Sequence, residues 1–301
     1  MKKIHHIIAA IDFTSSCRNA LREAARRSSL DGAAITAVHV MDEFLVHELK
    51  GALSTDQATI RAEWLDRLKK FVAESEVGSA VVNAEVRIGN PFAELVEACR
   101  AHSADLLVMG AKGSTNEPHR IGVIAAKCVR KAPVDVLVVR EDAQGPFKKI
   151  VTCVDFSENS AKAVQCALHL AQQDGASLDC LHVFQSALAM SLDYGGFAPS
   201  LPATYDPEAV ANWRRDLDAF LAPLTREAGV EVAAHVKERV NIREAILDHV
   251  NEVHASLVVL GTRGKTGLRE FLIGTTAEKI VQHAPCSILA VKPDGFVMSP
   301  D

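Results

Sequence analysis

The chain repeats itself, and that repeat constrains its fold more than any other feature. "HHIIAAIDFTSSCRNALREAARRSSLDGAAITAVHV" and "KKIVTCVDFSENSAKAVQCALHLAQQDGASLDCLHV" align without a gap at an offset of 143 residues. Asp12 falls on Asp155, Phe13 on Phe156, Asp31-Gly32-Ala33 on Asp174-Gly175-Ala176, and His39-Val40 on His182-Val183. Further along, "HSADLLVMGAKG" matches "VHASLVVLGTRG", and "KAPVDVLVVR" matches "HAPCSILAVK". One supersecondary pattern must therefore fold twice. The extra residues of the second copy lie after His182-Val183 and in a glycine-rich loop, where insertions are tolerated best.

Each copy alternates short apolar runs with helical patterns. In the first, "IIAAI" reads as a buried strand, residues 16–30 as a helix and "AITAVHV" as a strand. "IRAEWLDRLKKFVAES" is helical, "VVNAEVRI" a strand, and "PFAELVEACRAH" a helix with proline in its first turn. "DLLVM", "VIAAKCVRKA" and "VDVLVV" complete the series as strand, helix and strand, and "MDEFLVHELKGALSTDQ" reads as a connection. Strands apolar on both faces belong to parallel sheets covered by helices. The expected fold is α/β: two tandem doubly wound domains, each a five-stranded parallel sheet flanked by helices. Domain 1 spans residues 1–142 and domain 2 residues 148–301, joined around "EDAQGPFKK". A chain of 301 residues suits two domains of ordinary size.

In such sheets ligands bind beyond the carboxyl ends of the strands, where the strand order reverses. "SLVVLG" ends there at Gly261, and "TRGKTGLREFLIG" leads to a helix starting near Thr275. Gly261 and Gly264 let the backbone turn and approach a ligand. Gly274 precedes a helix whose first N–H groups and dipole favour an anion, with Thr275 and Thr276 adding hydroxyls. Arg263, Lys265 and Arg269 outweigh Glu270, so the segment is locally positive. Together these properties describe a polyphosphate cradle. It is not a Walker A loop, which would need glycine at Val259, and no dinucleotide fingerprint follows a first strand.

The spacing G-x2-G-x9-G-[ST], realised as Gly261, Gly264 and Gly274-Thr275, resembles the ATP-binding signature of the universal stress protein family. "CVDFS", "LHV" and "HAPCSILAV" are similar to other marks of that family, and the resemblance covers the whole chain twice. It implies two Rossmann-like domains of the adenine nucleotide alpha hydrolase type and a regulatory, stress-response role. It also implies a bound ATP, or ADP or AMP, with Mg²⁺ at the phosphates. By resemblance, Asp155 lies beside the adenosine and ribose, and Val183 reads the adenine edge through its backbone. Gly261 lies near the ribose, and Gly264, Gly274, Thr275 and Thr276 hold the phosphates. An aspartate at a strand end also caps helices, so both roles stand open for Asp155. The first copy keeps Asp12, Val40, Gly110, Gly113 and Gly122 as a weaker candidate site. Eight residues rather than nine separate Gly113 from Gly122, Val123 replaces the hydroxyl residue, and Glu117 and Pro118 lie between. Nucleotide is therefore expected mainly in domain 2.

The formal net charge of -5 gives no reason to expect a nucleic-acid or membrane-surface partner. No stretch approaches the roughly 20 apolar residues of a membrane span. Seven scattered cysteines without a CxxC read as buried thiols in a reducing compartment, and a cytoplasmic location is expected. His39 and His182 are expected to pack or to hydrogen-bond backbone. His5-His6 lacks a ligand-spaced partner, and no GxSxG elbow is present, so neither a catalytic nor a metal-binding residue is assigned. The alternatives are a nucleotide-independent interaction or small-ligand module, or a slow ATPase. Residues 184–213, with Tyr194 and Tyr205, read as a lid, a partner surface or a surface loop. The family usually pairs domains through the last strand, here resembling "VDVLVVR" and "CSILAVK"; a further homodimer and a regulatory protein partner are also expected.

Overall fold

The structure is a computed structural model in which residues 3–112, 121–143, 145–185, 207–264 and 274–296 are described. The first copy runs β1 (His6–Ala10), α1 (Ser15–Asp31), β2 (Ala34–Met41), α2 (Glu43–Leu53), α3 (Gln57–Ala73) and β3 (Val82–Ile88). It continues with α4 (Pro91–Ala101), β4 (Leu106–Gly110), α5 (Val123–Lys131) and β5 (Asp135–Val139). The second copy runs β6 (Lys149–Cys153), α6 (Glu158–Asp174), β7 (Ser177–Phe184), α7 (Pro207–Thr225) and β8 (Val232–Glu238). It ends with α8 (Ile242–Glu252), β9 (Leu257–Gly261), α9 (Thr275–His283) and β10 (Ser287–Val291). The α/β class and the alternation of strand and helix are those expected from the sequence.

Two segments depart from the expectation. Residues 43–53 form α2 rather than a plain connection: Asp42 accepts from Phe44 N at 2.9 Å and caps the helix. In the second copy, residues 207–213 open α7, so Trp213 is a helix residue and not part of a loop. Residues 186–206, including both tyrosines, lie outside the described residues.

The chain divides into two compact units. One comprises residues 2–145 together with residues 287–301, the other residues 146–286. In the first unit the strand order is β3-β2-β1-β4-β5-β10. The pairs from β3 to β5 are parallel, and β10 runs antiparallel to β5, with Leu289 opposite Leu137. Those are the two strands expected to meet. Ser287 Oγ accepts from Arg140 N at 3.1 Å and Asp135 Oδ1 from Lys292 N at 2.7 Å, which pins both ends of the pairing. β10 thereby covers an edge of β5 that would otherwise present unpaired backbone groups. In the second unit the order is β9-β6-β7-β8, all parallel.

The core strands are apolar on both faces and buried on both: Ile7, Ile8, Ile150, Val151, Val258 and Val259 are all fully covered. Each such side chain contributes about 1.5–3 kcal/mol relative to exposure. Helices α1 and α6 lie on their sheets and end alike, at Gly32 and Gly175 with φ of 65° and 64°. Glycine carries that left-handed conformation without a Cβ penalty. Inside α1 a charged group is buried: Arg27 is 0% exposed, and its Nε donates to Glu23 Oε1 at 2.7 Å. Glu23 also accepts from Arg26. Glu23→Ala removes the charge-assisted hydrogen bonds that Arg26 and Arg27 donate to this carboxylate, and is expected to destabilise the protein by about 2 kcal/mol, read as a lower midpoint in denaturant unfolding. A change below about 0.5 kcal/mol, the range of ordinary surface substitutions, would contradict a structural role for the pair.

Candidate functional site

The strand order reverses between β1 and β4 in one unit and between β6 and β9 in the other, so a crevice opens beyond their carboxyl ends. The chain leaving β1 and β6 enters that crevice by the same path. Ile11 N donates to Val38 O and Val154 N to Leu181 O, each at 2.9 Å. The carbonyls of Ile11 and Val154 accept from His39 Nδ1 and His182 Nδ1, each at 2.8 Å. A carbonyl can only accept, so Nδ1 carries the proton in both imidazoles. The histidines bond backbone, as the sequence suggested. Phe13 and Phe156 follow with φ of 63° and 61°, a conformation uncommon for a bulky residue.

This path fixes Asp12 and Asp155. Asp155 Oδ1 accepts from Ser157 N at 3.1 Å and from Ser157 Oγ at 2.6 Å; Asp12 Oδ1 accepts from Thr14 N and Thr14 Oγ1 at 3.0 and 2.5 Å. The helix caps are the hydroxyl residues themselves, Thr14 for α1 and Ser157 for α6. Each aspartate holds a cap rather than acting as one. A Cβ on Gly264 would come 2.7 Å from Asp155 Oδ2. The carboxylate of Asp155 and the backbone of Gly264 are thus in direct apposition, two features that lie over a hundred residues apart in sequence.

Gly261 has a second reason to be glycine. A Cβ there would meet Asn159 Nδ2 at 2.8 Å, and Asn159 Nδ2 donates to Arg263 O at 3.3 Å. Gly110 is packed likewise, with a Cβ position 2.7 Å from Ser16 Oγ and 2.9 Å from Cys17 N, and Ser16 Oγ accepts from Lys112 N. Helices α1 and α6 sit directly on these glycines. Asn159 and Ser16 were not expected from the sequence, because nothing in their local pattern marks them. Gly274 N donates to Thr262 O and Gly122 N to Ala111 O, closing the base of each loop. Gly274 and Gly122 then open α9 and α5, and among the described residues neither helix start has a side-chain cap hydrogen bond. Val183 is buried and Val40 half-buried at the ends of β7 and β2. Gly113, Lys265, Arg269 and Glu270 lie outside the described residues.

The copies differ in charge around the same frame. In the first, Lys112 Nζ is 3.4 Å from Glu141 Oε2, and Ser15 Oγ donates to Glu141 Oε1. The Ser15 hydroxyl, and then Lys112, hold the Glu141 carboxyl below its usual range. By sequence alignment Arg263 replaces Lys112 and Pro293 replaces Glu141, so the second copy has no carboxylate at that position. At the helix start, Val123 is 78% exposed where the second copy places Thr275.

An aromatic cluster lies beneath each strand end. Phe13, His39, Trp64 and Phe71 group with ring centroids 4.6–5.7 Å apart, matched by Phe156, His182, Trp213 and Phe220 at 4.6–5.6 Å. The Arg67 guanidinium lies 4.5 Å over Phe13 and 4.6 Å over Trp64, and Asp216 takes its place in the second copy by sequence. All seven cysteines are free, and burial pushes the thiols of Cys17, Cys99, Cys128, Cys153 and Cys180 up to about 12. They are inert packing residues.

The model of the Universal stress protein family matches residues 3–140 and again residues 146–292. The chain belongs to that family, in tandem form, and with it to proteins of a stress-response role. A universal stress protein of Mycolicibacterium smegmatis is 26% identical over 298 residues, covering 95% of this chain and 97% of its own. Universal stress protein E of Salmonella typhi is 24% identical over 319 residues, covering 98% and 96%. Among solved structures, a universal stress protein from Archaeoglobus fulgidus superposes with a TM-score of 0.65 at 17% identity, covering 95% of this chain and 98% of that one. A Pseudomonas aeruginosa structure, a putative universal stress protein, gives 0.65 at 18% identity over 97% and 95%. These likenesses show the fold. No helix among the described residues is long and apolar enough to cross a membrane.

Imidazoles held wholly or partly out of water make stability sensitive to acid. Burial lowers the pKa of His39, and of His6 and His235, below the ordinary value. The unfolded chain binds these protons more readily. Their contribution is present above about pH 6.5, the ordinary histidine value, and is lost as pH falls through the folded pKa values. Thermal melts from pH 8 to pH 5 should show a falling midpoint, with a shallower fall in His39→Gln. An identical slope in that variant would count against His39 as a contributor.

Proposed function

We propose that the second copy binds an adenine nucleotide, ATP or else ADP or AMP, with Mg²⁺ at the phosphates, and that occupancy regulates a protein partner in the stress response. The observation that carries this reading is the apposition of Asp155 Oδ2 and Gly264. That contact supports reading the acidic group and Gly264 as parts of one site, beside a helix start with no side-chain cap hydrogen bond among the described residues. Asp155 would take the ribose hydroxyls, and the backbone of Val183 the adenine edge. Gly261, Arg263, Gly264 and Lys265 would line the sugar and first phosphates, and Gly274, Thr275 and Thr276 the terminal ones. Mg²⁺ would neutralise phosphate charge there. The first copy, with Asp12, Val40, Gly110, Gly113 and Gly122, would bind nucleotide weakly: Glu141 neutralises Lys112 and repels phosphate. The protein acts as a nucleotide-dependent binding module rather than an enzyme, in the cytoplasm and as a homodimer.

Calorimetric titration with ATP and Mg²⁺ tests this. Gly264→Val should weaken binding more than tenfold, because the side chain displaces Asp155, whereas Gly113→Val should change it less than about twofold. Near-zero heat at millimolar nucleotide would favour a nucleotide-independent module, and equal losses from the two variants would remove the distinction between copies.

A further inference from the structure

At the opposite, amino-terminal side of the second unit's sheet, three metal-ligating side chains converge. Asp179 lies on β7 and His235 on β8, and the parallel register places Asp179 opposite Ala233 and Leu181 opposite His235. Both therefore point from the same face as diagonal neighbours. Helix α8 packs over that face and brings in His249. The ligand atoms of all three lie within 4.8 Å of one another. His249 Nε2 is 3.2 Å and His235 Nε2 3.3 Å from the same oxygen, Asp179 Oδ2.

We propose that Asp179, His235 and His249 form a binding site for a divalent transition metal of the zinc type. Zinc bonds to imidazole and carboxylate are about 2.0–2.1 Å, so the edge of a tetrahedron of such ligands is about 3.3–3.4 Å. The two nitrogen-to-oxygen separations match that edge. Asp179 and His249 have side chains only 2% and 3% exposed, while His235 is 37% exposed, leaving an open mouth for the ion and a water ligand. His235 Nε2 is buried and, apart from its 3.3 Å approach to Asp179 Oδ2, makes no hydrogen bond, a need that a metal bond would meet.

The two oxygens of Asp179 face different partners. Lys149 Nζ lies 2.6 Å from Oδ1, so it engages the oxygen that does not face the histidines. Glu252 Oε2 stands 3.9 Å from His249 Nδ1, on the far side of that ring. That distance is beyond hydrogen-bond reach, and the same oxygen pairs with Lys237 Nζ at 2.6 Å. The first copy has no counterpart: by register and helix cap the equivalent positions are Thr36, Glu85 and Ala98. One ion per chain is expected, and the second copy alone would carry it.

The test uses the full chain, stripped by a chelator, and titrates it with Co²⁺ as a spectroscopic substitute for zinc. The expected result is intense visible d–d absorption saturating at one equivalent, without a thiolate charge-transfer band, and abolished by added Zn²⁺. His235→Ala, at the exposed corner, should weaken Co²⁺ binding at least tenfold while the metal-free protein still unfolds in one cooperative transition. His249→Gln, which keeps a donor toward Asp179, provides a second variant with the same expected loss should His235→Ala fail to fold. Absence of the d–d bands in the parent chain would overturn the proposal, as would bands that survive undiminished in the folded variants.

Discussion

The imidazole-to-carbonyl bond at the end of the second strand of each copy is the interaction on which the rest of the architecture turns. His39 and His182 each donate from Nδ1 to the last carbonyl before the crevice, 28 residues earlier in the chain. That bond satisfies a backbone acceptor at the point where the ladder stops and commits the chain to the left-handed turn at Phe13 or Phe156. The turn aims the aspartate at its hydroxyl neighbour, and the hydroxyl residue caps the helix that covers the sheet. A neutral, buried imidazole with a single tautomer can do this; a protonated one would carry an uncompensated charge into the interior.

The same frame, used twice, separates what is required for folding from what the two copies have specialised. Gly110 and Gly261 are matched because a helix rests on each, whatever ligand approaches. The aromatic clusters are matched because they seat α3 and α7. The differences lie in charge: Lys112 with Glu141 and Arg67 in one copy, Arg263 with Pro293 and Asp216 in the other. A duplicated scaffold tolerates such divergence, since exposed charges contribute little to stability while they strongly affect which ligands are admitted.

Much of the fold was legible before any coordinate. Apolar runs bounded by glycine, the period of α1 and α6, and the gapless alignment of the copies pointed to a tandem α/β chain, and the glycine-threonine spacing resembled that of the universal stress protein family. The connection at residues 43–53 was misread because "DEFLVHELKGAL" mixes apolar and charged residues over barely three turns, too few for its period to be distinct, and its cap at Asp42 was overlooked. Trp213 escaped for the opposite reason: it follows a long, aromatic, proline-bearing stretch whose composition suggests a loop, while its own place is set by Phe156 and His182 across the fold.

The sequence by itself determined most of the element types, the duplication and the glycine-threonine signature, because each is a local or periodic property of the chain. Tertiary structure alone decided the grouping of β10 with the first compact unit, the contact of Asn159 and Ser16 with the strand-end glycines, and the meeting of Asp179 with His235 and His249. Those depend on strand register and on the rotation of a helix about its axis. Residues 56 and 70 positions from Asp179 become its neighbours only when a sheet and a covering helix align them, and no local period records that alignment.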